Sequence, residues 1–501
     1  MNQTPSSLAP TVAIIGSGFA GLAMAYHLKQ LGMESFTIFE KADAIGGVWR
    51  ENSYPGAACD VPSHLYSYSF EPHYPWSCRY GHRDEILDYQ RHVARKHDLE
   101  RHIRFGREVA SARFDDARGV WVLRFTDGAV HEAQVLISAV GQLHRPQIPD
   151  IKGRESFKGP AFHSARWDHS YDFNGKRVAV IGTGASAVQF VPVIAEQVQQ
   201  LFVFQRSPGW CIPKFDKPFR TWQRKLLDTL PVVHDMDRWR IFWMIEFLAT
   251  AMVKNSLVSR LAESILRLGS KILMRLQVKD PELRRKLTPD FPIGCKRTLL
   301  SNDWLKSLAR PNVEVVTEAV SEITASGVRT SDSRLRKVDA IVYGTGFSAS
   351  QFLAPMDIRG LGGMSLSELW GKGAQAYLGV NVTGFPNFFM LYGPNTNLGA
   401  GSIIYMLEQQ GHYIAQCVSE LRDRRLRYLD VRPEIQHAYN EELHRRSKTT
   451  TYESGCHSWY ISADGRNTNN WVGLMTEYGQ RLRKPNPQDY SLVPDDGKAC
   501  A

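Results

Sequence analysis

The stretch TVAIIGSGFAG, Thr11–Gly21, decides the fold. Its first half is a short apolar, β-branched run, the pattern of a strand buried in a parallel sheet. Its second half sets Gly16, Gly18 and Gly21 in the order G-x-G-x-x-G, and a helical pattern follows from Leu22 to Leu31. A second strand, Ser35–Glu40, completes a βαβ opening and ends on an acid. In such a unit the first glycine permits the tight turn and the second lets backbone approach a pyrophosphate. The third lets helix pack on strand, and the helix N-terminus supplies N–H donors. Glu40 stands 24 residues after Gly16, where a carboxylate accepts hydrogen bonds from ribose hydroxyls and repels a 2′-phosphate. The adenosine end expected here is that of FAD or NAD.

The design recurs. Arg177–Gly182 (RVAVIG) leads into Gly182, Gly184 and Ala187, the G-x-G-x-x-A variant, then a helical stretch to about Gln199 and the strand Leu201–Arg206. Arg206 is again 24 residues after the first glycine. A guanidinium there pairs with a 2′-phosphate, so the second nucleotide is expected to be NADPH. One FAD-type and one NADPH-type unit in one chain imply electron flow from nicotinamide to flavin.

The rest of the chain fits a large α/β protein. At 501 residues it exceeds one hydrophobic core, and 43% apolar with 22% charged residues is ordinary globular composition. The balance of 61 basic and 51 acidic residues, +10, is spread without a basic tail, which argues against nucleic acid and suits an anionic cofactor. Seven cysteines show no C-x-x-C or C-x4-C spacing, so neither a metal knuckle nor the redox dithiol of the disulfide reductases is expected, and no metal. The odd count suits a reducing cytosol, and MNQTPSSLAP has no signal-peptide character, so a cytoplasmic location is expected.

Val135–Gly141 and Asp339–Gly346 read as return strands at the edges of the two units. Leu143–Lys176, with Pro146, Pro149 and Gly153, reads as a linker. The expected divisions are residues 9–145 plus 348–490 for a discontinuous FAD unit, 146–217 plus 289–347 for the NADPH unit, and 218–288 for an inserted helical lobe. Trp222, Trp239, Trp243, Phe242 and Phe247 make that lobe the expected cap of a substrate site. Two alternatives stand beside this: a packed subdomain, and a membrane-surface contact through tryptophans beside Lys254 and Arg260, the lesser of the two.

The linker holds Phe157-Lys158-Gly159-Pro160-Ala161-Phe162-His163-Ser164-Ala165-Arg166-Trp167-Asp168. This resembles F-x-G-x-x-x-H-x-x-x-W-P/D, the fingerprint of the type I Baeyer–Villiger monooxygenases among the class B flavoprotein monooxygenases. Gly46-Gly47-Val48-Trp49, Tyr54–Asp60 (YPGAACD), Gly294-Cys295-Lys296-Arg297, Gly344–Phe347 and Gly393–Asn395 extend the likeness over nearly the whole chain. YPGAACDVPSHLYSYSF and the ending GCHSWY are more similar to the 4-hydroxyacetophenone monooxygenase branch than to cyclohexanone monooxygenase. The chain departs from the family at Ser186-Ala187, where Thr-Gly is common, and at Ala58, where many members have Arg.

The resemblance implies an NADPH- and O2-dependent enzyme that inserts oxygen beside a ketone carbonyl, giving an ester or lactone through a flavin 4a-peroxide acting as an anion. It implies that Gly47 and Trp49 lie at the cofactor and that Lys296 joins Arg206 on the 2′-phosphate. Arg297 would stand over the flavin and be oriented by Asp60, the two forming the catalytic pair, while His163 and Trp167 would couple the linker to NADPH binding. A guanidinium suits such a task because it stays charged and does not give up its proton. The alternatives are an N- or S-oxygenating flavin monooxygenase, against which Trp167 and Arg297 speak, and a redox sensor without turnover.

Overall fold

The computed structural model describes residues 9–253, 256–456, 458–462 and 465–495. Lys254, His457 of GCHSWY and Cys500 lie outside them.

Two parallel five-stranded sheets form the frame. The first comprises β1 (Val12–Ile15), β2 (Phe36–Phe39), β3 (Ile103–Arg104), β4 (Val135–Ser138) and, far along the chain, β10 (Phe388–Met390). The second comprises β5 (Ala161–His163), β6 (Arg177–Ile181), β7 (Gln200–Phe204), β8 (Val313–Val316) and β9 (Ala340–Tyr343). The strand orders are β10-β4-β1-β2-β3 and β5-β9-β6-β7-β8, one plan used twice. Each glycine strand is central, with Val12 in register with both Phe36 and Val135, and Val178 with both Leu201 and Ala340.

Two expectations are corrected. The return strands β4 and β9 are interior and not edges, because β10 and β5 add outside them. Their residues are buried throughout, as a strand covered on both faces requires. Nor is the whole of 143–176 a linker, since β5, inside the fingerprint, pairs in parallel with β9. A three-residue strand is too short to show a period in sequence, and only its partner reveals it.

Helix α1 (Phe19–Gln30) starts at Gly18 and packs on the long helix Ile403–Asp423, and α2 (Ala185–Ile194) starts at Gly184. The inserted segment holds α3 (Pro231–Val253) and α4 (Leu257–Gln277), which pack on each other. Its base is anchored by His64 Nδ1 at 2.8 Å from Asp237 Oδ2, by Arg79 at 2.7 Å from the same carboxylate, and by Arg238, which donates to the carbonyl of Ser67 at 3.1 Å. Trp222, Trp239 and Trp243 do not line an interior: they are 60%, 67% and 48% exposed, whereas Phe247 packs with Trp210 and Ile293. Among the described residues no single helix is long and apolar enough to cross a membrane. The pair α3 and α4 passes that test together, bent by 101°.

The cysteine expectation also changes. Cys295 and Cys456, 161 residues apart, form a disulfide, while Cys59, Cys78, Cys211 and Cys417 are free and buried. Sequence spacing did not expose this pair because the fold, not the local chain, brings the two together.

Candidate active site

At the tip of β1, Gly16 holds φ +105°, and a Cβ there would stand 2.7 Å from the carbonyl of Ala139. A Cβ on Gly21 would collide with the Gly16 carbonyl, so helix and turn touch through bare backbone. Gly18 faces Gly47 across a gap where a Cβ would find only Gly47 backbone, its Cα at 3.6 Å and its N at 3.9 Å. The mouth between them is a cradle of backbone that side chains would fill, which fits a pyrophosphate at the α1 N-terminus. Glu40 is buried at the end of β2. It accepts from Ser17 N and Ser17 Oγ, both at 2.9 Å, and from Ala42 N at 3.0 Å, so the carboxylate is fixed against the glycine turn. Trp49 donates from Nε1 to Tyr66 at 3.1 Å, and its carbonyl accepts from Arg83 at 2.8 Å.

The second unit repeats the turn. Gly182 holds φ +104° against the Gly344 carbonyl, Gly184 leaves the α2 N-terminus open, and Ala187 is buried behind it. Arg206 is exposed at the strand end. Lys296 reaches toward it, donating to Ser207 Oγ at 2.6 Å, with Nζ 4.8 Å from the Phe291 ring centre. Burial first, then the charge of Arg206, lowers the Lys296 pKa. Two cations held this close fit a dianionic phosphate between them.

The two units meet at Asp60 and Arg297. Arg297 donates to Asp60 Oδ2 at 2.5 Å and to the Leu398 carbonyl at 3.0 Å. Burial would raise the Asp60 pKa, but the Arg297 guanidinium outweighs it and holds the carboxyl below its ordinary value. The charge of Asp60 in turn raises Arg297 above the usual arginine range. Both side chains keep just under a third of their exposure, 29% and 28%, so the guanidinium is fixed by its partners yet open on one side.

Around the pair stand residues that sequence reading missed. Tyr460 and Tyr392 feel the Arg297 charge, and burial is the main cause that raises both hydroxyls, Tyr460 to about 12. Both stay protonated at neutral pH, and the Tyr392 hydroxyl donates to Asn397 Oδ1 at 2.7 Å. The GCHSWY stretch was legible as a motif, but its meeting with Arg297 was not. Ala58, one of the two departures from the family pattern, is buried at the seam. Gln189 of α2 donates to its carbonyl at 2.8 Å and accepts from Tyr54 at 2.8 Å, which leaves that place to packing between units.

Within the fingerprint, His163 makes a capping contact and Trp167 an aromatic one. His163 is buried and accepts at Nδ1 from Ala165 N at 3.1 Å, capping the turn Ser164–Arg166. Trp167 packs among Phe162, Phe173 and Phe190.

Two dinucleotide-type units facing each other across an ion pair define a flavoprotein oxidoreductase plan. The model of the flavin-binding monooxygenase-like family matches residues 9–356, and the chain belongs to that family. It is 41% identical over 484 residues to a Baeyer–Villiger monooxygenase of Streptomyces coelicolor, covering 96% of this chain and 92% of that one. A Baeyer–Villiger monooxygenase of Pseudomonas aeruginosa is 39% identical over 487 residues, covering 96% and 91%. Among solved structures, a steroid monooxygenase bound to NADP is similar at TM-score 0.85 and 31% identity, covering 97% of this chain and 100% of that one. A cyclohexanone monooxygenase from Rhodococcus bound to NADP+ gives 0.85 and 28%, covering 98% and 100%. Equal scores for steroid and cyclohexanone enzymes do not select a branch, and the 4-hydroxyacetophenone likeness stays a matter of local wording.

Proposed function

We propose that this chain is an FAD- and NADPH-dependent Baeyer–Villiger monooxygenase that converts a ketone to an ester or lactone with O2. The observation that carries the reading is Arg297 fixed by Asp60 and Leu398 at the seam between the two nucleotide-type units. When bound, NADPH supplies the electrons and the flavin supplies oxygen activation. Gly16, Gly18, Gly21 and Gly47 cradle the flavin nucleotide, Glu40 takes its ribose, and Trp49 closes one side. Gly182, Gly184 and Ala187 form the NADPH turn, and Arg206 with Lys296 takes the 2′-phosphate. Arg297 presents a permanent positive charge where oxygen becomes anionic and cannot quench that anion by giving up a proton. Asp60 keeps it aimed.

Residues 9–145 with 348–490 serve FAD, 146–217 with 289–347 serve NADPH, and 218–288 form the lobe. Membership of β10 in the first sheet and of β5 in the second supports these divisions. The test is NADPH- and O2-dependent product from a ketone panel and a matching thioether panel, read by mass spectrometry. Ester from ketone is expected. Sulfoxide alone would favour the N- or S-oxygenating alternative, and no NADPH consumption would favour the sensor.

A further inference from the structure

The inserted lobe breaks the normal rule for apolar side chains. Of the 23 large hydrophobic residues exposed among the described residues, fifteen fall within 218–288, so exposure is concentrated there and not scattered. On α4 they form one stripe: Leu257, Leu261, Ile265, Leu268, Ile272 and Leu276, 46% to 82% exposed. At about 100° per residue this stripe fills an arc of roughly 100°. The opposite arc, Ser259, Ala262, Leu266, Ser270 and Leu273, is the face buried against the protein. On α3, Val232, Met236, Trp239 and Trp243 repeat the pattern at helical spacing.

Charge selects what this surface fits. Residues 218–288 contain fourteen Lys and Arg against seven Asp and Glu, a difference of +7 out of the chain's +10. On α4 the exposed Arg260, Lys271 and Arg275 lie along one border of the stripe. Apolar stripe, basic border and tryptophans are the composition of a helix lying in the plane of a lipid interface. A second copy of this chain would bring the same excess positive charge to the contact, whereas an anionic bilayer neutralises it.

We propose that the lobe docks the enzyme on an anionic membrane surface, with α4 lying in the interface and its Leu/Ile stripe in the acyl boundary. This reverses the lesser place that a membrane contact holds on sequence alone, because periodicity shows a stripe without showing which face the protein covers. The proposal is independent of the ketone assignment, since it concerns a surface and not the seam.

The experiment uses the full, FAD-loaded chain in vesicle flotation, with phosphatidylcholine alone or mixed with phosphatidylglycerol, at low and high salt. Flotation with the phosphatidylglycerol vesicles, weakened by salt, is expected. Leu261→Glu/Leu268→Glu should cut the floated fraction about tenfold, and Lys271→Glu/Arg275→Glu should cut it chiefly at low salt. Both variants should keep their FAD and their NADPH oxidation, which separates loss of docking from loss of folding or of catalysis. Wild-type protein that floats with neither vesicle would overturn the proposal, as would equal flotation of the Leu261→Glu/Leu268→Glu variant. A dimer in sedimentation velocity that Leu268→Glu dissociates, with no vesicle capture, would assign the face to a second copy instead.

Discussion

Glu40 and Arg206 occupy the same place in two copies of one plan, each 24 residues after its first glycine, yet they are held in opposite ways. Glu40 is buried and tied to its own glycine turn by Ser17 and Ala42. Arg206 is exposed, with Lys296 contributed from almost a hundred residues away. A ribose hydroxyl is neutral and needs a fixed acceptor, which a buried carboxylate supplies. A 2′-phosphate is charged, and the exposed Arg206 with Lys296, already set on Ser207, fits it. The scaffold is common to both units, and the chemistry at one strand tip separates them.

The comparison breaks most sharply where the units meet. Arg297→Ala should retain FAD and still consume NADPH, but ester yield should fall about 10²–10³-fold, the usual cost of losing one electrostatic stabiliser. Normal yield by mass spectrometry would take this residue out of the reaction. Next, Arg206→Ala should lower kcat/KM for NADPH roughly ten- to a hundredfold and leave NADH nearly unchanged, because only the phosphate contact is lost. Equal losses for both would refute the phosphate assignment.

A smaller effect is expected at the other strand tip. Glu40→Gln puts an amide N–H where three donors converge, at a cost of about 1–3 kcal/mol. Thermal shift and retained flavin report it, and an unchanged melting temperature with full flavin would show that the carboxylate is dispensable. The smallest effect concerns Asp60. Its folded pKa is depressed, so its stabilisation is present above the ordinary carboxylate range and is lost as pH falls through the folded value. The urea midpoints of wild type and Asp60→Asn should differ most near neutrality and converge in acid. A constant gap across pH would mean that the pair carries no charge-dependent stability.

The two glycine turns, Glu40, Arg206 and the meeting of Asp60 with Arg297 were legible because local motifs and a family likeness mark them. Three things were not. Strand β5 is three residues long and exists only through β9. Tyr392, Leu398 and Tyr460 reach Arg297 through chain that returns from far downstream, and no spacing encodes that return. The lobe's tryptophans read as lining because helical periodicity is blind to direction, and the structure turns them outward.

The chain passes between the two sheets twice, and the passages run side by side. Gln147 N donates to the Gly346 carbonyl at 2.9 Å and Ser348 N to the Arg145 carbonyl at 3.0 Å, with Pro146 bridged to Phe347. Mechanically, two adjacent passages of chain make a hinge, and the Arg297–Asp60 pair with the Gln189–Ala58 bond closes the seam beside it. The Cys295–Cys456 bond is a latch set away from that axis, fastening the segment of Lys296 and Arg297 to the segment of Tyr460. A door fixed at hinge and latch does not swing. The Cys295–Cys456 bond therefore adds a covalent tie to a seam otherwise held by an ion pair and hydrogen bonds.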